Sequence, residues 1–288
     1  MRLMRVGPVG SEQPVVQLES GESFDLTPVT ADIDGSFLDS GGFRSVSQAL
    51  AANRLPSIDI TGLRIGPPLR RPGKIVCVGL NYREHAAETG AAVPDEPVLF
   101  MKAANTVVGP HDTVLIPPNS SKTDWEVELA VIIGSECRYL RSQESAKEKI
   151  AGYAISNDVS EREFQLERGG QWDKGKSSET FNPFGPWLVS ADAIGDVQAL
   201  PLRLWVNGQL RQNSTTADMI FGVYHIVWYV SQFMVLEPGD VINTGTPAGV
   251  ALALPGQPYL IAGDEVALEI DGLGRQQQRF ERAMTDSS

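Results

Sequence analysis

Short runs of apolar residues, several alternating with polar ones, dominate the chain. Residues 2–6, 15–18 and 23–26 read as strands separated by Gly, Glu and Ser turns. Residues 46–54 read as a single helix. A seam follows at 66–73, Gly-Pro-Pro-Leu-Arg-Arg-Pro-Gly, where prolines and glycines disfavour helix and ladder alike. It divides the chain into a small β-rich N-terminal domain, 1–70, and a larger domain, 71–288. In the larger part, strand-like runs stand at 74–78, 98–101, 127–133, 154–156, 202–206, 241–244 and 265–270. Helical patterns stand at 82–89, 142–150, 161–168 and 217–234. Strands and helices do not alternate regularly, so a doubly wound sheet fits poorly. The pattern predicts an α+β, β-rich fold with helices at its margins.

Composition narrows the function classes. Of 288 residues, 42 % are hydrophobic, enough to bury a large core. Lys and Arg number 24 against 36 Asp and Glu, a formal charge of −12. That balance excludes nucleic acid and anionic membrane as main partners, since both need a basic face. An acidic small molecule stays open if the site supplies local positive charge. Cys77 and Cys137 have no metal or redox spacing and read as buried reduced thiols. The first residues lack the apolar core of a signal peptide. The most apolar stretch, 222–236, contains His225, Ser231 and Gln232 and falls short of the roughly 20 residues that a bilayer requires. A cytoplasmic protein is expected. Neither a GxGxxG nor a P-loop is present.

The most informative stretch is Asp124-Trp125-Glu126-Val127-Glu128-Leu129-Ala130-Val131-Ile132-Ile133. In a strand, alternate residues share a face, so Glu126 and Glu128 point the same way and Ala130 and Ile132 continue that face. Val127, Leu129 and Val131 point the other way. Either the carboxylate face is solvated or a cation neutralises the pair. Asp158 ends another apolar strand, Tyr153-Ala154-Ile155-Ser156-Asn157-Asp158. Three hard oxygen ligands with open positions would suit Mg²⁺ or Mn²⁺ rather than Zn²⁺.

Asn81-Tyr82-Arg83-Glu84-His85-Ala86-Ala87-Glu88-Thr89-Gly90 reads as a short helix, with Asn81 as N-cap, Glu84 completing a capping box and Gly90 as the stop. His85 and Glu88 then share one face. A carboxylate beside an imidazole suits general-base work on water, though such a pair also occurs on ordinary surface helices. In Lys174-Gly175-Lys176-Ser177-Ser178-Glu179 a lysine could serve as a cation for an anionic substrate, or be merely solvated. The turn Asn243-Thr244-Gly245-Thr246-Pro247 offers amides and hydroxyls that could hold a carboxylate.

Together VGLNYREHAAE, EPVLFMK, DWEVELAVIIG, ISNDVSERE, WDKGKSSETFNPFGP, VNGQLRQ and LEPGDVINTGTPAGV resemble, in order, the fumarylacetoacetate hydrolase family. The resemblance runs from about Lys74 to Ile270, and the N-terminal part fits the subgroup carrying a small β-rich extra domain. It implies a mixed β-sandwich roll, usually a homodimer, and Mg²⁺ or Mn²⁺ held by the residues matching Glu126, Glu128 and Asp158. It further implies a His85–Glu88 dyad on a lid helix, a substrate-side Lys176, Thr246 near the substrate carboxylate, and a substrate-binding role for Arg162. Two departures stand out: Gly249-Val250-Ala251-Leu252-Ala253-Leu254 replaces a glycine-rich run, and Glu163 replaces an aspartate. The expected function is metal-dependent hydrolysis of a carbon–carbon bond in a 2,4-dioxo acid, with pyruvate as one product. Decarboxylation of a 2-oxo acid such as oxaloacetate, or keto–enol isomerisation, is the alternative on the same residues.

Overall fold

Strand Val127–Ile133 is buried along its whole length, and the fold is arranged around its two faces. The structure is a computed structural model and describes residues 1–285. The last three positions of the expected 71–288 domain lie outside the described residues.

The strand belongs to a ten-stranded sheet. Its main path runs Ser23–Asp25, Gln13–Gln17, Arg2–Val6, Leu188–Ser190, Ile150–Asn157, Val127–Ile133, Val241–Asn243, Ile75–Gly79 and Val98–Lys102, with Ile65–Gly66 pairing beside Arg2–Val6. The neighbours are antiparallel except Val241–Asn243 and Ile75–Gly79, which run parallel. A second, five-stranded sheet runs Gln209–Thr215, Pro201–Val206, Glu265–Ile270, Gly274–Arg282 and Val114–Ile116. The molecule is therefore α+β and β-rich with mixed sheets, as the pattern predicts.

Odd and even positions of the central strand enter different cores. Val127, Leu129, Val131 and Ile133 pack with Leu202, Leu204, Val266 and Leu268 of the second sheet. Ala130 and Ile132 pack with Ile75, Cys77, Leu3 and the helix residues Val46 and Ala49. The first 70 residues carry their own strands, yet these extend the sheet of the rest of the chain through Arg2↔Val189 and Leu3↔Leu188. Both cysteines are buried and free. Among the described residues no helix is long and apolar enough to cross a membrane.

Several elements differ from expectation. The helix at 46–54 begins earlier, at Gly42–Ala51. The long helix at 217–234 shrinks to Val223–Val230, because the Asn81 segment claims the backbone before it: Ile220 N donates to Asn81 O, and Phe221 N to Asn81 Oδ1. His225, expected in the core, lies half-buried on that helix, stacked on Phe221 at 5.3 Å. Strand Gly274–Arg282 was hidden because its inward residues include Gln276 and Gln278. Both are fully buried, and each amide donates to backbone carbonyls, Gln276 to Ile155 and Gly185 and Gln278 to Pro110.

Candidate active site

Glu126 precedes the central strand and Glu128 lies in it, two residues on, so the pleat puts both on one face. Asp158 follows strand Ile150–Asn157, and its N–H donates to Glu126 O at 3.0 Å, fixing the two strand ends side by side. Carboxylate oxygens of Glu126, Glu128 and Asp158 all lie within 4.8 Å of one another, and all three residues are buried.

Three cations face this cluster. Lys176 Nζ donates to Glu126 Oε2 at 2.8 Å and to Asp158 Oδ2 at 2.9 Å. Lys102 Nζ donates to Asp158 Oδ1 at 2.5 Å and to Val159 O at 3.1 Å. Arg162 Nη2 donates to Glu126 Oε1 at 2.7 Å. Lys176 reaches inward because Gly175 sits against the neighbouring helix, where a Cβ would stand 2.4 Å from Glu161 O. Burial alone would raise the Glu126 carboxyl, but Lys176 and then Arg162 outweigh it and hold it down at about 2, with His85 adding a smaller pull. Burial opposes the Lys176 ammonium too, yet Asp158 and Glu126 hold its pKa above the ordinary lysine value. Glu128 goes the other way: burial, then Asp158 and Glu126, push it well above the usual carboxylate range. Among the described residues its carboxyl accepts one hydrogen bond, from Gly245 N at 2.8 Å. A buried carboxyl pushed up by two neighbouring carboxylates, among oxygen donors alone, suits a hard divalent cation. Glu126, Glu128 and Asp158 would hold it.

The dyad forms on helix Arg83–Glu88. His85 Nδ1 and Glu88 Oε1 are 2.8 Å apart, and Glu88 Oε2 accepts from Gly249 N at 2.9 Å. Asn81 is not the cap. Tyr82 holds the N-cap position in extended backbone with no side-chain bond. The Asn81 amide instead donates to Phe221 O and Thr244 O at 3.0 and 2.8 Å, because two loops need closing there. Gly90 does end the segment with φ +69°.

Over residues 74–281 the sequence matches the family described as Fumarylacetoacetate (FAA) hydrolase C-terminal. The chain belongs to this family. A Burkholderia multivorans protein named "Putative hydrolase" is 47 % identical over 279 residues, covering 96 % of this chain and 98 % of that protein. The crystal structure of maleylpyruvate hydrolase from Sphingobium sp. SYK-6, in complex with manganese(II) and pyruvate, is 30 % identical with a TM-score of 0.80, covering 99 % of this chain and 100 % of that one. 5-carboxymethyl-2-hydroxymuconate delta-isomerase from Mycobacterium smegmatis is likewise 30 % identical, with a TM-score of 0.78 and coverage of 99 % and 100 %. The family match spans residues 74–281, the structural likenesses span nearly the whole chain, and the chain is an enzyme of that superfamily.

Within this family member, all three expected substrate contacts are engaged by protein: Lys176 by Glu126 and Asp158, and Arg162 and Thr246 by other side chains and backbone. Arg162 Nε donates to Asp124 Oδ2 at 2.8 Å and Nη1 to Gln165 Oε1 at 2.9 Å, besides its bond to Glu126. Thr246 Oγ1 donates to Val127 O at 3.0 Å and accepts from Gln212 Nε2 at 2.9 Å. Sequence reasoning missed Lys102, Asp124, Gln165 and Tyr82. Lys102 had a signal, a charge ending the apolar strand Val98–Lys102 as Asp158 ends its own. Tyr82 is fully buried, and its hydroxyl has no partner among the described residues. Burial, then Glu128 and Asp218, push that phenol well above its ordinary range.

Proposed function

We propose that this enzyme hydrolyses a carbon–carbon bond of a small 2,4-dioxo acid, an acylpyruvate, a fumarylpyruvate or a 2,4-dioxo-3-deoxy sugar acid, to pyruvate and a second product. The observation that carries the reading is an oriented His–Glu pair beside a buried three-carboxylate cluster. A binding protein needs no base.

Mg²⁺ or Mn²⁺ on Glu126, Glu128 and Asp158 would act as a Lewis acid for the substrate's 2-oxo acid end and offset charge developing there. Glu88, accepting the His85 Nδ1 proton, leaves Nε2 as the basic nitrogen. His85 takes a proton from water, whose oxygen adds to the 4-oxo carbon. The bond between C3 and C4 then breaks, its electron pair stays with the three-carbon fragment, and a proton on C3 completes pyruvate. Lys176, buried at the cluster, stabilises the anionic groups of substrate and leaving fragment. Arg162 and Thr246 hold Glu126 and the start of the central strand in place beneath the substrate. The operating form proposed is a cytoplasmic homodimer.

Pyruvate release from a panel of acylpyruvates, with EDTA and with Mg²⁺ or Mn²⁺ restored, tests the reading. Metal-dependent release of pyruvate and the matching acid supports it, and no release from any dioxo acid sinks it. The likeness to the M. smegmatis isomerase supports a second reading, in which the same base shuttles a proton without adding water. Oxaloacetate offered in parallel separates both from decarboxylation, since only decarboxylation yields CO₂.

A further inference from the structure

The two halves of the site lie on separate segments, and one buried side chain touches the supports of both. Asp124 is wholly buried. Its Oδ1 accepts from Trp125 N and Ala251 N, each at 2.8 Å. Its Oδ2 accepts from Arg162 Nε at 2.8 Å and from Leu252 N at 3.1 Å. An ionised carboxylate offers about four acceptor sites, so Asp124 is saturated.

Each of these bonds leads somewhere. Through Arg162, Asp124 fixes the guanidinium whose other arm holds Glu126 Oε1. Through Ala251 and Leu252 it fixes the turn that follows Gly249. Gly249 N in turn holds Glu88 Oε2, while Gly249 O accepts from Trp125 Nε1 at 3.1 Å. Gly249 adopts φ +105°, and a Cβ there would stand 2.0 Å from Arg211 O. Only glycine therefore fits at this point of the turn.

We infer that Asp124 is a positioning residue that sets the dyad against the carboxylate cluster, holding Glu126 through Arg162 and Glu88 through the Gly249 turn. It touches no reacting atom. The inference rests on the reading of the site given above, but its consequences show in the protein whether or not a dioxo acid is cleaved.

Two substitutions separate the arms. In D124N the charge that anchors Arg162 is lost and one acceptor oxygen becomes an NH₂ group facing N–H donors, with Ala251 N or Leu252 N losing its acceptor in either orientation, so both arms loosen. In W125F the bond to Gly249 O and part of a buried ring are lost while all four bonds to the Asp124 carboxylate remain, so the Gly249 turn and the dyad arm loosen without the Arg162 arm. Hydrogen exchange of the metal-free protein over Arg83–Glu88 should become about fivefold faster in both variants, the factor expected for one lost hydrogen bond. Mn²⁺ binding, followed by titration without substrate, should weaken about 10- to 100-fold in D124N and stay at the wild-type level in W125F. Wild-type Mn²⁺ affinity in a folded D124N overturns the proposal. Unchanged helix exchange in W125F also overturns it, and D124E, which keeps the charge but displaces both oxygens, takes the place of D124N in both measurements if D124N does not fold. Failure of the hydrolase reading alone would leave both measurements as expected.

Discussion

The carboxylate cluster stands at the ends of paired strands, where backbone bonds and buried cations from three other segments grip it. The dyad rides on a six-residue helix with no side-chain cap, held by Glu88 on Gly249 and by Arg83, whose Nη1 donates to Asp218 O and Met219 O. The difference matters energetically. Buried ion pairs are costly to break because the survivor is left charged and desolvated, whereas a short docked helix opens at the expense of a few bonds. One half is built to keep its charges in place, the other to yield. Binding a cation and activating water should therefore be separable properties.

The strongest way to break the cluster is Asp158→Ala, which strands Lys102 and leaves Lys176 only Glu126 as a carboxylate partner. Urea unfolding should show a loss of about 3–5 kcal/mol, and Mn²⁺ titration should show no binding. His85→Ala should leave the cluster intact: turnover falls about 10²–10⁴-fold while Mn²⁺ affinity stays put. Equal losses of binding and turnover would mean that the halves are not separable. Gly249→Ala is a subtler blow to the dyad's support, because of its backbone conformation and its approach to Arg211 O. A cost of about 1–3 kcal/mol is expected, with hydrogen exchange rising over Arg83–Glu88 more than over Val127–Ile133. Mn²⁺ at about 100 times its dissociation constant should stabilise the wild-type protein by about 2.7 kcal/mol, read as a rise in melting temperature that Asp158→Ala lacks. The smallest effect concerns Cys77, whose thiol burial pushes well above its ordinary value, and Cys137, pushed up to about 11 by burial. A thiol reagent should label neither until the protein unfolds.

Much of this contrast was legible in the sequence. Period two alone put Glu126 and Glu128 on the face that Ala130 and Ile132 continue, and the structure sends those two into one core and Val127, Leu129 and Val131 into the other. Helical spacing alone brought His85 to Glu88. The supports were not legible, because they depend on which loops meet. Asp124 stands in the sequence only as the head of the strand stretch, and the arrival of Ala251 and Leu252 from more than a hundred residues away makes it a hub. Asn81 failed as a cap for the same reason: local chemistry favoured the helix end, and tertiary contacts claimed its amide. Strand Gly274–Arg282 escaped notice because its inward face carries glutamines that satisfy carbonyls rather than apolar side chains.

The pairing of Arg2–Val6 with Leu188–Ser190 has a consequence for biosynthesis. Leu3 leaves the ribosome about 185 residues before its register partner Leu188. At about 5–20 residues per second, roughly 10–40 s separate the two. During that interval the early strand has its hairpin neighbour Gln13–Gln17 and, at Arg5 and Val6, Ile65–Gly66, while the edge at Arg2 and Leu3 stays open to whatever nascent chain is nearby. Slower translation of the segment between would lengthen the exposure, making the yield of native enzyme depend on codon choice far from the active site.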